Sequence, residues 1–219
     1  MDCRYYSMHH SHHRAGKNPF PDISFLLRHK RIVPFFQQII CVSRNCVCGL
    51  EGLSRGVSDG GLIPPKALFS AAGERNLTKQ LDELCRERVL GAFSGVRGQH
   101  GDKLLFLNID ASVLEKDVRH KDFSRQVAGS GIEPGNIVVE ISETKVGNSA
   151  ALRDIIDVYR GDGFLIALDD VGTGFSNLDR IPVTQPDIIK IDVSLVRNLH
   201  QDYHRQEVFK SLISLAEQI

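Results

Sequence analysis

The sequence lacks a net charge, a long apolar run and the features of a secretion signal. Its 219 residues carry 27 basic and 27 acidic side chains, and this balance argues against a nucleic-acid polymer or a charged membrane surface as a partner. No run approaches the roughly 18 apolar residues of a membrane helix. The N-terminus has no apolar segment of the kind that signal peptides contain. We therefore expect a cytoplasmic protein without a membrane segment.

Cysteine is also scarce, and its spacing matches no common metal motif. There are five cysteines, with no Cys-x-x-Cys pair among them. Cys46 and Cys48 are separated by one residue, which is the wrong spacing for a zinc knuckle. An odd, low count without such a pair is typical of reduced thiols inside a cell.

The first 21 residues differ from the rest in composition. They are polar and contain four histidines: His9, His10, His12 and His13. Such a tract can bind transition metals adventitiously, but a disordered, His-rich leader is the simpler interpretation. Residues 22–219 look globular, and the 42% apolar content of the chain suits one sizeable α/β domain or two small ones.

Apolar periodicity predicts the elements of this globular part. Residues 23–42 indicate a short helix and then a strand, residues 46–56 a second strand, and residues 64–95 helical structure. Four apolar runs then alternate with helical patterns. The runs lie within 103–110, 136–144, 163–170 and 186–192, and the helical patterns cover 111–129, 148–160 and 194–218. Near-continuous apolar strands that alternate with helices predict a parallel sheet covered on both faces.

Each of those four runs ends on polar side chains, namely Asn108, Glu140, Asp169 with Asp170, and Lys190. The carboxyl ends of parallel strands meet on one face, where α/β folds place their sites. We therefore expect these side chains to converge. The alternative is that each one merely starts a loop or caps the next helix, and five in succession weaken that interpretation.

The donor types indicate the chemistry of such a site. Carboxylates and a carboxamide are hard oxygen ligands that suit Mg²⁺, Mn²⁺ or Ca²⁺ better than zinc. Asp169 and Asp170 would repel each other unless cations or strong donors neutralised them. Adjacent carboxylates can flank two cations about 3.5–4 Å apart, and Lys190 could hold a phosphate or the attacking water. The pattern predicts metal-assisted phosphoester hydrolysis.

Five segments in order also resemble the motifs of one known family. These are GLEGLSRG, FLNID, EISE, ALDDVGTGFSNL and DIIKID, and together they resemble the signature segments of the EAL domain family. The likeness extends over residues 23–219. Gly52 stands where the family has alanine, a change that we expect to be harmless.

The resemblance implies a TIM-like (β/α)₈ barrel that hydrolyses cyclic di-GMP to linear pGpG with Mg²⁺ or Mn²⁺. It implies metal ligation by four side chains, with Asp170 holding a second metal. The four are Glu51, Asn108, Glu140 and Asp169. By the same resemblance Lys190 would orient or deprotonate the nucleophilic water, so that Glu51 and Lys190 are the catalytic pair.

The resemblance implies further roles around the nucleotide. Arg55 would bind a ligand phosphate through its planar guanidinium, and Gln37 and Leu53 would line the nucleotide pocket. Glu143 would steady the loop after Asp170. That loop also contributes to dimerisation in the family, which implies a homodimer.

The family has two further strands, bearing a glutamate and a glutamine, that do not occur here. We therefore expect an incomplete barrel that lacks the last two strands and cannot close by itself. Strand exchange with a second copy, a shortened chain and a gene fragment are the three explanations. Three functions remain open: a cyclic di-GMP phosphodiesterase, a degenerate cyclic di-GMP sensor or protein-interaction module without catalysis, and a fragment without function.

Overall fold

A computed structural model describes residues 22–95, 103–110, 113, 121–142, 149–172 and 180–218. The predicted leader, residues 1–21, and Glu143 lie outside this set. Within these residues no helix combines the length and the apolar character that crossing a membrane requires.

The chain begins with a short helix and an antiparallel hairpin. Helix α1 spans Ile23–Arg28, and the Asp22 carboxylate caps it by accepting from the Ser24 backbone N–H. Strand β1 spans Ile32–Cys41 and pairs with β2, Cys46–Ser58. A short strand β3, Gly61–Ile63, pairs with the end of β2. The predicted helix and the two predicted strands are confirmed.

The helical pattern predicted over 64–95 is in fact two helices, α2 over Pro65–Glu74 and α3 over Thr78–Ser94. Pro65 occupies the first turn of α2, where its missing N–H costs nothing. The break falls at Asn76, whose φ of 56° is left-handed. Asparagine tolerates this conformation better than most residues, so the chain turns there and the helix does not continue.

The rest of the described chain alternates strands and helices as predicted. The elements are β4 Leu104–Ile109, α4 Lys121–Ser130, a 3₁₀ turn Pro134–Asn136, β5 Ile137–Ser142, α5 Ser149–Gly161, β6 Leu165–Val171, α6 Ile181–Thr184, β7 Ile188–Ile191, α7 Val193–Val196, a 3₁₀ turn Leu199–Gln201 and α8 Tyr203–Ala216. Of the helix predicted over 111–129, the structure describes only the last part and Val113.

The helix predicted over 194–218 is interrupted. Asn198 is left-handed, with φ of 59°, and ends the first helical segment. Asp202 then caps α8 by accepting from the Arg205 backbone N–H. The apolar spacing of this region continues across the break, which is why periodicity alone predicted one helix.

The strands form one sheet in the order β1-β2-β4-β5-β6-β7, with β3 beside β2. Strands β2, β4, β5, β6 and β7 are mutually parallel. In the described part of the chain β1 and β7 are the two edges, so the sheet curls without closing. This is the expected TIM-like barrel in incomplete form.

Side chains alternate between two apolar layers across the sheet. Outward-facing residues such as Leu105, Leu107 and Ile109 pack against the helices in the main core. Inward-facing residues form a smaller cluster at the amino ends of the strands. Its buried members are Phe106, Val138 and Ala167. The next inward positions toward the carboxyl ends are the polar residues that the sequence singled out.

Gly52 lets helix α3 approach strand β2 closely. A Cβ atom at this position would overlap the Val89 side chain of α3, so the expectation that glycine is harmless here gains a physical reason. We predict that Gly52→Ala lowers the free energy of unfolding by about 1–3 kcal/mol through overpacking, measured by urea denaturation.

Two variants test that explanation. The double variant Gly52→Ala/Val89→Ala should lose less free energy of unfolding than the two single variants lose in total. The reason is that Val89→Ala removes the methyl groups that obstruct the new Cβ atom. Gly91→Ala is the matched control, since a Cβ there meets nothing within 4 Å, and it should be neutral or stabilising. Strict additivity in the double variant would contradict the explanation.

Candidate active site

Three inward-facing carboxylates surround one ammonium group inside the curled sheet. Lys190 Nζ on β7 contacts Glu140 Oε1 on β5, and it lies 3.2 Å from Asp169 Oδ1. The same ammonium lies 3.5 Å from Glu51 Oε1 on β2. Three carboxylates therefore share one lysine as counter-ion.

The Asn108 carboxamide links two of these carboxylates. Its Nδ2 donates to Glu140 Oε2 at 2.8 Å and to Glu51 Oε1 at 3.3 Å. Both amide hydrogens thus go to the acids, which leaves the amide oxygen as an acceptor or ligand. Asn108 and Glu140 are register partners on adjacent strands, which is why two residues 32 apart in sequence meet.

An irregularity in β6 explains the adjacent aspartates. The pairing with β7 shifts by one residue between Leu168 and Val171, and Asp170 has a left-handed φ of 58°. In a regular strand neighbouring side chains point to opposite faces. A bulge with its extra residue in this conformation re-aims a side chain, and Asp170 lines the same cleft as Glu51 and Asn108.

Burial sets the protonation of the central acid. Glu140 is fully buried, with 0% exposure, and burial raises its pKa to about 8 against the pull of the Lys190 ammonium. Burial also raises the pKa of Asp170, and the adjacent Asp169 adds to that effect. Burial by itself would lower the pKa of Lys190, but Glu140, Asp169 and Glu51 together outweigh it and the pKa is raised.

We predict a pH dependence of stability from Glu140 in the metal-free protein. Its pKa rises on folding from 4.5 to about 8, so between these values the folded state holds more protons than the unfolded state. The free energy of unfolding should therefore fall as pH rises from about 4.5 to about 8. Urea denaturation at several pH values measures this slope, and Glu140→Gln should make it shallower. Equal slopes in the two proteins would contradict the assignment.

A cleft of about 700 Å³ opens beside this cluster. The predicted ligand residue Leu53 lines it, together with Glu51, Asn108 and Asp170. Gln37 pairs with Glu51 in the hairpin register and is exposed. The Arg55 guanidinium lies over the Phe35 ring, 6.0 Å from its centroid. Gln37 and Arg55 do not line the cleft as it stands, so their binding roles stay predictions.

Sequence reasoning missed the other wall of the cleft, which helix α3 supplies. Asp82 and Arg86 form an ion pair there, and both are almost fully buried. Asp82 Oδ1 also accepts from the backbone N–H of Asp110 at 3.2 Å, the residue that follows β4 and lines the cleft. The available signal was a charged i, i+4 pair on the apolar face of a predicted helix.

The donor set fits a hard divalent cation. Glu51, Glu140 and Asp169 bring three carboxylates to one lysine, Asp170 lines the adjoining cleft, and Asn108 keeps its amide oxygen. Among the described residues no three acidic, His or Cys side chains are already grouped as a metal site. In the structure the Lys190 ammonium lies among three of these acids, Glu51, Glu140 and Asp169.

The curled parallel sheet and this acidic cluster define a barrel protein with its site at the carboxyl ends of the strands. The EAL domain family model matches residues 22–219. The chain therefore belongs to the EAL domain family.

Two curated relatives illustrate this membership. The uncharacterized EAL-domain containing protein YkuI of Bacillus subtilis is 29% identical over 192 residues, 86% of this chain and 46% of YkuI. The probable cyclic di-GMP phosphodiesterase PdeB of Escherichia coli is 26% identical over 184 residues, 84% of this chain and 36% of PdeB. The chain thus spans less than half the length of either relative.

A solved structure shows the same fold. The Klebsiella pneumoniae protein BlrP1 matches with a TM-score of 0.77 and 23% identity over 86% of this chain and 47% of BlrP1. That structure is a complex with calcium and cyclic di-GMP, and BlrP1 has also been solved with manganese and cyclic di-GMP. At this identity the likeness concerns the fold.

Proposed function

We propose that this chain is the catalytic part of a phosphodiesterase that opens cyclic di-GMP to linear pGpG. The observation that carries the proposal is the ring of acids around Lys190, which β2, β5 and β6 contribute. Relatives named as probable cyclic di-GMP phosphodiesterases support the choice of substrate. Water would add to one phosphorus and one ester oxygen would leave, so that the ring opens once.

The residues divide the work by their chemistry. Glu51, Asn108, Glu140 and Asp169 would hold Mg²⁺ or Mn²⁺, with Asp170 serving a second ion, and BlrP1 complexes with Ca²⁺ or Mn²⁺ support such a cation. When bound, the metals polarise the phosphate and activate water. The apolar floor beneath the ring excludes water from below, which strengthens electrostatic interactions above it.

Lys190 would act as an ammonium rather than as a base. Burial alone would lower its pKa, but the surrounding acids Glu140, Asp169 and Glu51 together raise it, so it holds its proton at neutral pH and donates hydrogen bonds. We propose that it orients the water and stabilises the charge that develops on the phosphate. The cleft between Leu53 and helix α3 would take the nucleotide, and a homodimer remains part of the proposal from the family resemblance.

The test is incubation of the purified chain with cyclic di-GMP and either Mn²⁺ or Mg²⁺, followed by chromatography for pGpG. Glu140→Gln should reduce turnover at least about a hundredfold. Glu133→Gln is the matched control, because Glu133 is exposed and precedes the amino end of the same strand. Turnover that a chelator and Glu140→Gln both leave intact would contradict the proposal.

The same assay decides between enzyme and sensor. Binding of cyclic di-GMP by calorimetry without pGpG in either metal would favour a recognition module that does not hydrolyse the nucleotide. If the chain shows no binding and no turnover of cyclic di-GMP, both functions are contradicted.

A further inference from the structure

Two cysteines close the β1–β2 hairpin. Cys41 ends β1, Cys46 begins β2, and the two are register partners across a four-residue turn, 42–45. Antiparallel partners have Cα atoms about 4.5–5.5 Å apart, within the 4.4–6.8 Å range that disulfides span. Partner side chains also project from the same face of a hairpin. The thiols are both free, and the register pairing places them within the range that a disulfide can span.

The turn between them activates one of the two thiols. Arg44 Nε donates to Cys41 Sγ at 3.2 Å, and Ser43 Oγ lies 3.4 Å from the same sulfur. These hydrogen bonds lower the pKa of Cys41 to about 7. Cys41 is partly exposed and Cys46 is exposed, so a small oxidant in solvent can reach both.

The third cysteine of the hairpin is held differently. Cys48 lies at the register shift opposite Ile39 and Ile40, and its thiol donates to the Ile39 carbonyl at 3.4 Å. It therefore faces the β1 backbone rather than Cys41. The geometry favours Cys46 as the partner.

We propose that Cys41 and Cys46 form a reversible dithiol–disulfide site that hydroperoxides oxidise. The Cys41 thiolate attacks the terminal peroxide oxygen, so that an S–O bond forms and the O–O bond breaks; Cys41 becomes a sulfenic acid, and hydroxide leaves from hydrogen peroxide or an alkoxide from an organic hydroperoxide. Cys46 then loses its proton and attacks the Cys41 sulfur. An S–S bond forms, the S–O bond breaks and water leaves, so that two electrons have passed from the thiols to the peroxide.

This site is separate from the acidic cluster. Cys41 and Cys46 lie at the hairpin turn, whereas Gln37 and Glu51 pair further along the same two strands. The proposal therefore stands independently of the phosphodiesterase function, and its test needs no nucleotide.

Peptide mapping of the whole chain tests it directly. Trypsin cleaves after Arg31, Arg44 and Arg55, so that Cys41 falls in peptide 32–44 and Cys46 in peptide 45–55. After treatment with hydrogen peroxide and digestion without reductant, we expect the two peptides joined with the loss of two hydrogen atoms. Dithiothreitol should separate them. Absence of the joined peptide in the wild-type protein would overturn the proposal.

Variants identify the partner. Cys48→Ser should still form the joined peptide, whereas Cys46→Ser should not and should leave a Cys41 sulfenic acid that dimedone captures. A joined peptide that persists in Cys46→Ser would overturn the assignment of Cys46.

The rate of alkylation of Cys41 tests the role of Arg44. Iodoacetamide should alkylate Cys41 at pH 7 about fivefold more slowly in Arg44→Gln, since the gain in thiolate outweighs the lower nucleophilicity of an acidic thiol. An unchanged rate would contradict activation by Arg44.

Discussion

Lys190→Ala is expected to reduce turnover of cyclic di-GMP at least about a hundredfold. The side chain touches Glu51, Glu140 and Asp169 together, and it would donate to the water or phosphate in the proposed reaction. The fold should survive, because burial already favours the neutral form of Glu140 and that acid can take up a proton when its counter-ion is lost. Steady-state kinetics with Mn²⁺ measure the effect.

Lys210→Ala is the matched control for Lys190→Ala. Lys210 is exposed and pairs with Glu207 at 2.8 Å on helix α8, so its removal should leave kcat unchanged. Calorimetry should show cyclic di-GMP binding to Lys190→Ala within severalfold of wild type, since the loss is expected in the chemical step. Wild-type turnover in Lys190→Ala would exclude a catalytic role for this residue.

Asp82→Ala is expected to lower the free energy of unfolding by about 3–5 kcal/mol, because it strands the charge of Arg86 in the interior. Both side chains are nearly inaccessible, with exposures of 2% and 4%. Arg86 also donates to Gln126 at 3.2 Å and lies over the Phe123 ring, so it is not free to swing into solvent. Urea denaturation provides the measurement.

An exposed ion pair serves as the control that distinguishes the effect of burial on stability from the effect of losing a charge. Glu207→Ala breaks the exposed pair with Lys210 and should cost less than about 1 kcal/mol. Asp82→Leu/Arg86→Met removes both buried charges and should recover much of the stability that Asp82→Ala loses. An Asp82→Ala cost equal to that of Glu207→Ala would show that the buried pair contributes nothing special.

Much of the fold was predictable because its strands are short apolar runs that end abruptly. The polar terminators Asn108, Glu140 and Lys190 fall at inward positions of neighbouring strands, and parallel pairing then brings them together. The prediction rested on two alternations: strands alternate with helices along the chain, and side chains alternate between the inner and outer faces along each strand. Both are periodic signals that a single sequence carries.

The parts that could not be predicted depend on single backbone conformations or on tertiary contact. The left-handed residues Asn76 and Asn198 divide segments that read as continuous helices. The bulge at Asp170 likewise depends on the backbone conformation of one residue. Asp82 lines the cleft only because α3 packs beside β4, and Cys41 meets Cys46 only because the turn has four residues.

The interior of the sheet has two layers, an apolar one and a polar one, that can change independently in evolution. Phe106, Val138 and Ala167 form a buried apolar base, while the acids and Lys190 lie above it. A lineage could therefore exchange its upper side chains one by one, and so trade hydrolysis for recognition, without dismantling the scaffold underneath.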